Sequence, residues 1–153
     1  MWGFSVSFFV LGILAVSPAW ADPSPAKENV YFTLDEGAAR VFPGESLAPG
    51  HESELQGFDF EMVIAPPANT VQVTKKPGAA DASLAAAEQS AETIRRVVFR
   101  FFDETDPAHE QLVRTVTLNN AEILDIRPLD DCHERVRFKY ESWSNDPNPA
   151  YDR

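Results

Sequence analysis

A single cysteine, Cys132, stands in the whole chain of 153 residues. One thiol excludes an internal disulfide, and with it a small scaffold held by cross-links. Cys132 stays free or pairs between molecules; by residue type it reads as a small, partly buried side chain. Basic residues are scarce as well: 13 Lys and Arg stand against 24 Asp and Glu, a formal net charge of −11. Phosphate backbones and anionic lipid surfaces are both held by Lys and Arg. This balance argues against a nucleic-acid partner and, for the processed chain, against a membrane partner. Motifs are missing too. There is no G-x-S-x-G, no H-E-x-x-H, no glycine-rich phosphate loop and no C-x-x-C. The expectation is a protein that is not an enzyme, with no catalytic, cofactor-binding or metal residues and no cofactor.

Long apolar runs are also absent. The longest, Phe8 to Val16, has nine residues, against about 20 for a membrane-spanning helix. It matches the apolar core of a secretory leader, and Ala19-Trp20-Ala21 supplies the small-residue cleavage site. Pro18 ends the helix just before the cut and leaves the next residues extended. No Lys or Arg precedes Phe8, which departs from the usual leader. A retained anchor and a buried segment are the other readings. The expected arrangement is a cleaved leader over residues 1–21, a flexible N-terminus over 22–29, one domain over 30–143 and a loose tail over 144–153. The processed chain then starts at Asp22 and lies in the periplasm or outside the cell. About 130 residues make one domain and bury roughly two thirds of the unfolded surface.

What is present is mostly β pattern. Val30 to Leu34 is β-branched and aromatic, a first strand. Pro43-Gly44 and Pro49-Gly50 are turn dipeptides. From Leu55, Phe58, Phe60 and Met62 alternate with Asp59 and Glu61, which predicts a half-buried strand. The stretch Ala65 to Thr70 reads as a short loop before a strand around Val71 to Lys75. An alanine-rich stretch follows, with Leu84, Ala87, Ala91 and Ile94 at helical spacing and Asp81 or Ser83 as caps. Val97, Phe99 and Phe101 form one face of the next strand; Val98 and Phe102 share the other with Arg100, so both sides are expected to be covered. Asn119-Asn120 is a turn signal between two further strands. Val136, Phe138 and Tyr140 alternate with Arg135, Arg137, Lys139 and Glu141, one face core and the other solvent or partner. The fold class is mostly β: a barrel or sandwich with one short helix.

Three polar groupings need a reading. His51 lies beside Glu52 and Glu54; a surface loop is expected, with a weak metal site as the alternative. Asp130, Asp131, Cys132, His133 and Glu134 place carboxylates, thiol and imidazole side by side, but a Cys–His pair works through space. A polar turn is expected there, with a metal-assisted enzyme as the sharper alternative. His109 follows a turn and is expected to be exposed.

Read in order, several fragments resemble one family: Pro43 to Ser46, Gly50 to Leu55, Phe58 to Met62, Val73 to Ala87, Val116 to Ile126 and Glu134 to Trp143. Their order and spacing are similar to the Hcp family, the haemolysin-coregulated tube proteins of the type VI secretion system. The resemblance covers roughly residues 38 to 143. It implies a compact β-barrel of two sheets with a helix on its side, a hexameric ring as homo-oligomer, and secretion-system or effector proteins as partners. It also implies contacts at strand edges and at the helix-bearing face. Two departures stand out: a leader that tube subunits lack, and a short connection where they carry a long extended loop. Six copies of an acidic chain also repel one another unless Lys and Arg meet carboxylates across the contacts; Arg95, Arg96, Arg135, Arg137 and Lys139 are the candidates. The expected function is that of an exported, non-enzymatic, Hcp-like structural or interaction protein. The alternative is a monomeric periplasmic module that binds a small ligand or a secreted protein.

Overall fold

The structure is a computed structural model that describes residues 28–35, 40–65, 68–104 and 109–151. The leader expected over residues 1–21 and its cut lie outside the described residues. Among the described residues, seven strands and one helix follow in chain order: β1 (Glu28–Asp35), β2 (Leu55–Ala65), β3 (Ala68–Lys75), α1 (Asp81–Gln89), β4 (Ile94–Asp103), β5 (Leu112–Asp130), β6 (His133–Lys139) and β7 (Ser142–Pro147). Hydrogen bonding runs β4-β1-β2-β3-β6-β5-β7, and β4 also pairs directly with β5, which closes the sheet. All pairings are antiparallel. The mostly β barrel with one short helix expected from the sequence is what forms, its two walls continuous through the shared strand β5.

Period two does most of the work. Phe32 of β1, Val71 and Val73 of β3, Val97, Phe99 and Phe101 of β4, Val116 and Leu118 of β5, and Val136 and Phe138 of β6 all point inward and are buried. Phe99 is the hub: its ring centre lies 5.2 Å from Phe32, 4.9 Å from Phe60 and 6.2 Å from Phe138. Each such fully buried side chain contributes on the order of 1.5–3 kcal/mol, so the aromatic column and the aliphatic residues around it stabilise the barrel together. Leu84 and Ala87 of α1 join this core.

The structure departs from simple alternation where the chain bends. Phe58, Phe60 and Met62 were expected on one face. A bulge between Phe58 and Glu61, with Asp59 at φ 47°, adds one residue to β2. Phe60 and Met62 therefore pack on the core, while Phe58 turns outward, edge-on to His133. Asn119-Asn120 is not a reversal. Asn120 takes φ 49° inside the continuous 19-residue β5, because a left-handed residue can kink a strand as well as end it. Beyond the kink β5 leaves β4 and pairs with β6. The reversal falls at Asp131-Cys132, so β6 and β7 return along β5 as one bent arm.

The helix is shorter than its spacing suggested: Ala91 is at φ 49° and exposed, and Ile94 already belongs to β4. Neither expected cap is used. Asp81 accepts from the Gly78 N–H and Ser83 donates to the Val41 carbonyl. Residues 144–153, expected to be loose, contain most of β7, which is held to β5 by pairs from Ser142–Asn119 to Pro147–Arg114. The six-residue loop expected at 65–70 is mostly strand, since Ala65 pairs with Ala68.

Candidate functional site

Two buried polar clusters and one charged face stand out on this frame. The first cluster seals one end of the barrel. Lys75, the last residue of β3, is fully buried. Its ammonium lies 2.9 Å from Glu45, 2.7 Å from Asp81 and 3.0 Å from Glu134, and donates to the Lys76 carbonyl at 2.7 Å. The loop before β2, the start of α1 and the start of β6 are thereby tied to one charge. Burial alone pulls the Lys75 ammonium down, but the three carboxylates outweigh it and hold it above its usual range. Glu134 moves the other way from an ordinary paired acid. Burial raises it, and the neighbouring Asp81 charge adds to that against the pull of Lys75. Three carboxylates share one ammonium, so one of them carries the excess repulsion. Glu45 also accepts the Ala80 N–H at 3.2 Å, satisfying a donor at the helix start.

The second cluster corrects the expectation for His51. This residue is buried, stacked on Tyr31 at 3.7 Å and edge-on to Phe102. Its Nδ1 lies 2.5 Å from Glu54 and its Nε2 3.0 Å from Glu110. Each ring nitrogen thus faces one carboxylate. Arg100 of β4 donates to Glu54 at 2.9 Å, and Asn29 of β1 to Glu110 at 3.2 Å. The loop bearing His51 is thus clamped over the outer face of β1 and β4. That is why Phe102 is buried on the side away from the core, as its strand pattern suggested. Burial first, then the Glu110 charge and hydrogen bond, push the Tyr31 hydroxyl up to about 12. Glu52 points elsewhere and caps the Gly50 N–H. Every polar atom of His51 is satisfied by protein, so the ring is a structural clamp.

Asp130 to Glu134 do not converge. Asp130 accepts from the Cys132 N–H at 2.7 Å and from His133 Nδ1 at 2.9 Å, which closes the hairpin turn and holds its carboxyl below the usual range. Glu134 belongs to the Lys75 cluster. Cys132 is exposed at the tip, not partly buried, because the turn turns its side chain away from both strands. His109 is exposed. Among the described residues no three His, Cys, Asp or Glu side chains are placed to hold a metal ion, and no helix is long and apolar enough to cross a membrane.

Of the five basic candidates for contacts, three are engaged within the chain. Arg96 pairs with Asp35 at 3.5 Å, Arg137 with Asp125, and Lys139 with Glu122 at 2.8 Å. Arg95 is exposed and Arg135 half-buried. Arg127, which sequence reasoning passed over, lies directly opposite Arg135. The outward Phe58 lines a cavity of about 220 Å³ with Glu45, Leu47, Lys76 and Pro77. Tyr140 is buried with its hydroxyl unpartnered. Lys75 was also missed: a lysine ending an apolar strand looks like a solvated end until the acids from three other segments are brought to it.

No family model and no curated protein matches the chain. Solved structures do. The Hcp1 protein from E. coli EAEC 042 pathovar superposes with a TM-score of 0.68 at 17% identity, over 79% of this chain and 90% of that one. A crystal structure of an Hcp protein gives 0.70 at 16%, over 82% and 96%. The secreted protein Hcp3 from Pseudomonas aeruginosa gives 0.63 at 21%, over 79% and 98%. The barrel, its side helix and the bent β5 arm are therefore the Hcp fold, as the sequence resemblance implied.

Proposed function

We propose that this chain is an exported, non-enzymatic subunit of Hcp type, which acts through its surfaces and assembles as a ring of like copies. The observation that carries the reading is the shared fold, which spans most of both chains. The polar clusters fit it, since their groups hold loops in place. An edge strand supports assembly: among the described residues β7 pairs only with β5, and its residues are exposed. An unpaired edge is a template for another strand. The β2–β3 connection spans only residues 66–67, so ring formation is favoured over stacking into a long tube. Export rests on the leader pattern at residues 1–21. Size-exclusion chromatography with light scattering tests assembly, and a ring is expected at low salt. A strict monomer at low and high salt removes the ring. N-terminal sequencing of the protein from cells tests export; Asp22 is expected, and a chain starting at Met1 in the cytosol defeats it.

The cavity beside Phe58 favours a second reading, a monomeric periplasmic module that binds a small ligand or a secreted protein. Ligand binding raises apparent stability by mass action. A thermal-shift screen that finds a ligand for a monomeric chain would select this reading, and no response to any ligand or partner counts against it.

A further inference from the structure

We propose that the outer face of the β5–β6 hairpin, where Arg127 and Arg137 share the carboxylate of Asp125 and Arg135 lies opposite Arg127, is where a second copy of this chain seats its own carboxylates. The inference rests on the ring reading above and specifies which surface makes the contact.

The geometry is set by register. Arg137 lies opposite Asp125 and Arg135 opposite Arg127. Arg137 donates to Asp125 from Nε at 3.1 and 3.0 Å, and Arg127 approaches the same carboxylate at 3.4 Å. Arg135 has no acidic partner among the described residues, and the Arg127 side chain is 70% exposed. Two guanidiniums thus share the Asp125 carboxylate and a third, Arg135, stands opposite Arg127, an excess of positive charge along these two strands. Like charges directly opposite on neighbouring strands destabilise a sheet, so the isolated fold gains nothing from this arrangement.

The placement contrasts with the other ion clusters described. Among the described residues Lys75 meets three carboxylates and His51 two, and Arg40, Arg96 and Arg114 each meet at least one. On a chain of net charge −11, a cationic face is complementary to the rest of its own surface. The same register carries an apolar shoulder: Phe58 lies opposite Thr74, and Thr74 opposite Arg135. Lys76 sits 6.0 Å over the Phe58 ring. A carboxylate-bearing surface therefore finds guanidiniums near a half-buried aromatic ring. The carboxylates it receives lie elsewhere on the second copy, which makes the contact head-to-tail, the kind that gives a ring where the rotation closes.

The test compares self-association of the purified chain with that of Arg127→Glu/Arg135→Glu and the milder Arg127→Gln/Arg135→Gln, by light scattering and sedimentation. Wild type is expected to associate at about 0.1 M salt and dissociate toward about 1 M, as the screening length falls from about 10 Å to about 3 Å. The Glu variant should associate at least roughly tenfold more weakly and the Gln variant should fall between. Both should keep the wild-type circular dichroism and melting temperature, since the side chains are outward. Wild type that assembles while the Glu variant assembles equally well overturns this inference and leaves the ring standing. Salt-insensitive assembly does the same. Wild type that is monomeric throughout removes both. A monomer that binds polyglutamate through these arginines overturns the second-copy assignment, giving the face to a different acidic partner.

Discussion

Replacing Lys75 by Met keeps the length of the buried stem and removes its charge. Glu45, Asp81 and Glu134 then face one another around an apolar tip. Each lies within 3.0 Å of the ammonium in the intact protein. Deleting one partner of a buried ion pair typically costs about 3–5 kcal/mol, because the remaining charge keeps its desolvation penalty and loses its compensation. Three carboxylates place this site toward the upper end at neutral pH. Against a total stability of about 5–15 kcal/mol, Lys75→Met should lose a third or more of it. The loss must shrink in acid. Glu134 already holds its proton above the usual range, and without Lys75 it holds it more tightly. A carboxyl that binds its proton better in the folded than in the unfolded chain makes folding less favourable as pH rises through that window. Lowering the pH from about 7 to about 5 should therefore recover part of the deficit. Urea unfolding followed by far-ultraviolet circular dichroism measures both quantities. Adding Asp81→Asn and Glu134→Gln to Lys75→Met should recover stability at neutral pH, since a neutral cluster has no repulsion to relieve. A loss under about 1 kcal/mol at neutral pH, or one equal at both pH values, would refute the account of this cluster.

Gly44→Ala should destabilise the protein by at least about 1–3 kcal/mol, because its methyl group would sit 2.1 Å from the Glu52 carbonyl oxygen, a backbone atom that cannot swing aside; a melting temperature equal to wild type would contradict this. Tyr140→Phe should be neutral or stabilising, since the buried hydroxyl has no partner and its removal relieves an uncompensated desolvation; a loss above about 1 kcal/mol would mean the hydroxyl is bonded. Tyr31 should ionise last among the tyrosines with resolved shifts, near 12. Its folded value lies above the unfolded value of about 10, so its contribution to stability is complete below about pH 10 and falls away toward about 12. Absorbance titration in the ultraviolet, with Tyr31→Phe removing the late step, checks the assignment.

The strand content was legible because alternation in β4 and β6 is strict: Val97, Phe99 and Phe101 on one side, Val136 and Phe138 likewise. What escaped was every place where the backbone breaks period two. A bulge at Asp59 and a kink at Asn120 each rest on one residue with positive φ, and side-chain chemistry alone does not say whether such a residue bends a strand or ends it. The error at Asn120 had a consequence. Placing a reversal there hid the true hairpin, whose register sets Arg127 against Arg135. The His51 cluster was illegible for another reason. Glu54 lies three residues away, but Glu110 and Tyr31 are distant in sequence and meet the ring only after the barrel closes.

These clusters divide the acidic charge into two populations with different consequences. Glu45, Glu54, Glu110 and Glu134 are committed to Lys75, His51 and Arg100, and their compensation is internal. Moderate salt should affect them little, since buried pairs are screened less than exposed ones. Glu141 and Asp146 on or beside β7, and Asp131 at the hairpin tip, are exposed. Exposed charges repel in any assembly of copies and are the ones that salt screens. If assembly were driven by the β7 edge alone, added salt would strengthen it, because screening would remove repulsion and leave the strand hydrogen bonds. If the arginine face drives it, salt weakens it. The sign of the salt dependence therefore separates backbone pairing from charge pairing without any substitution, and the two contacts predict opposite slopes for the same protein.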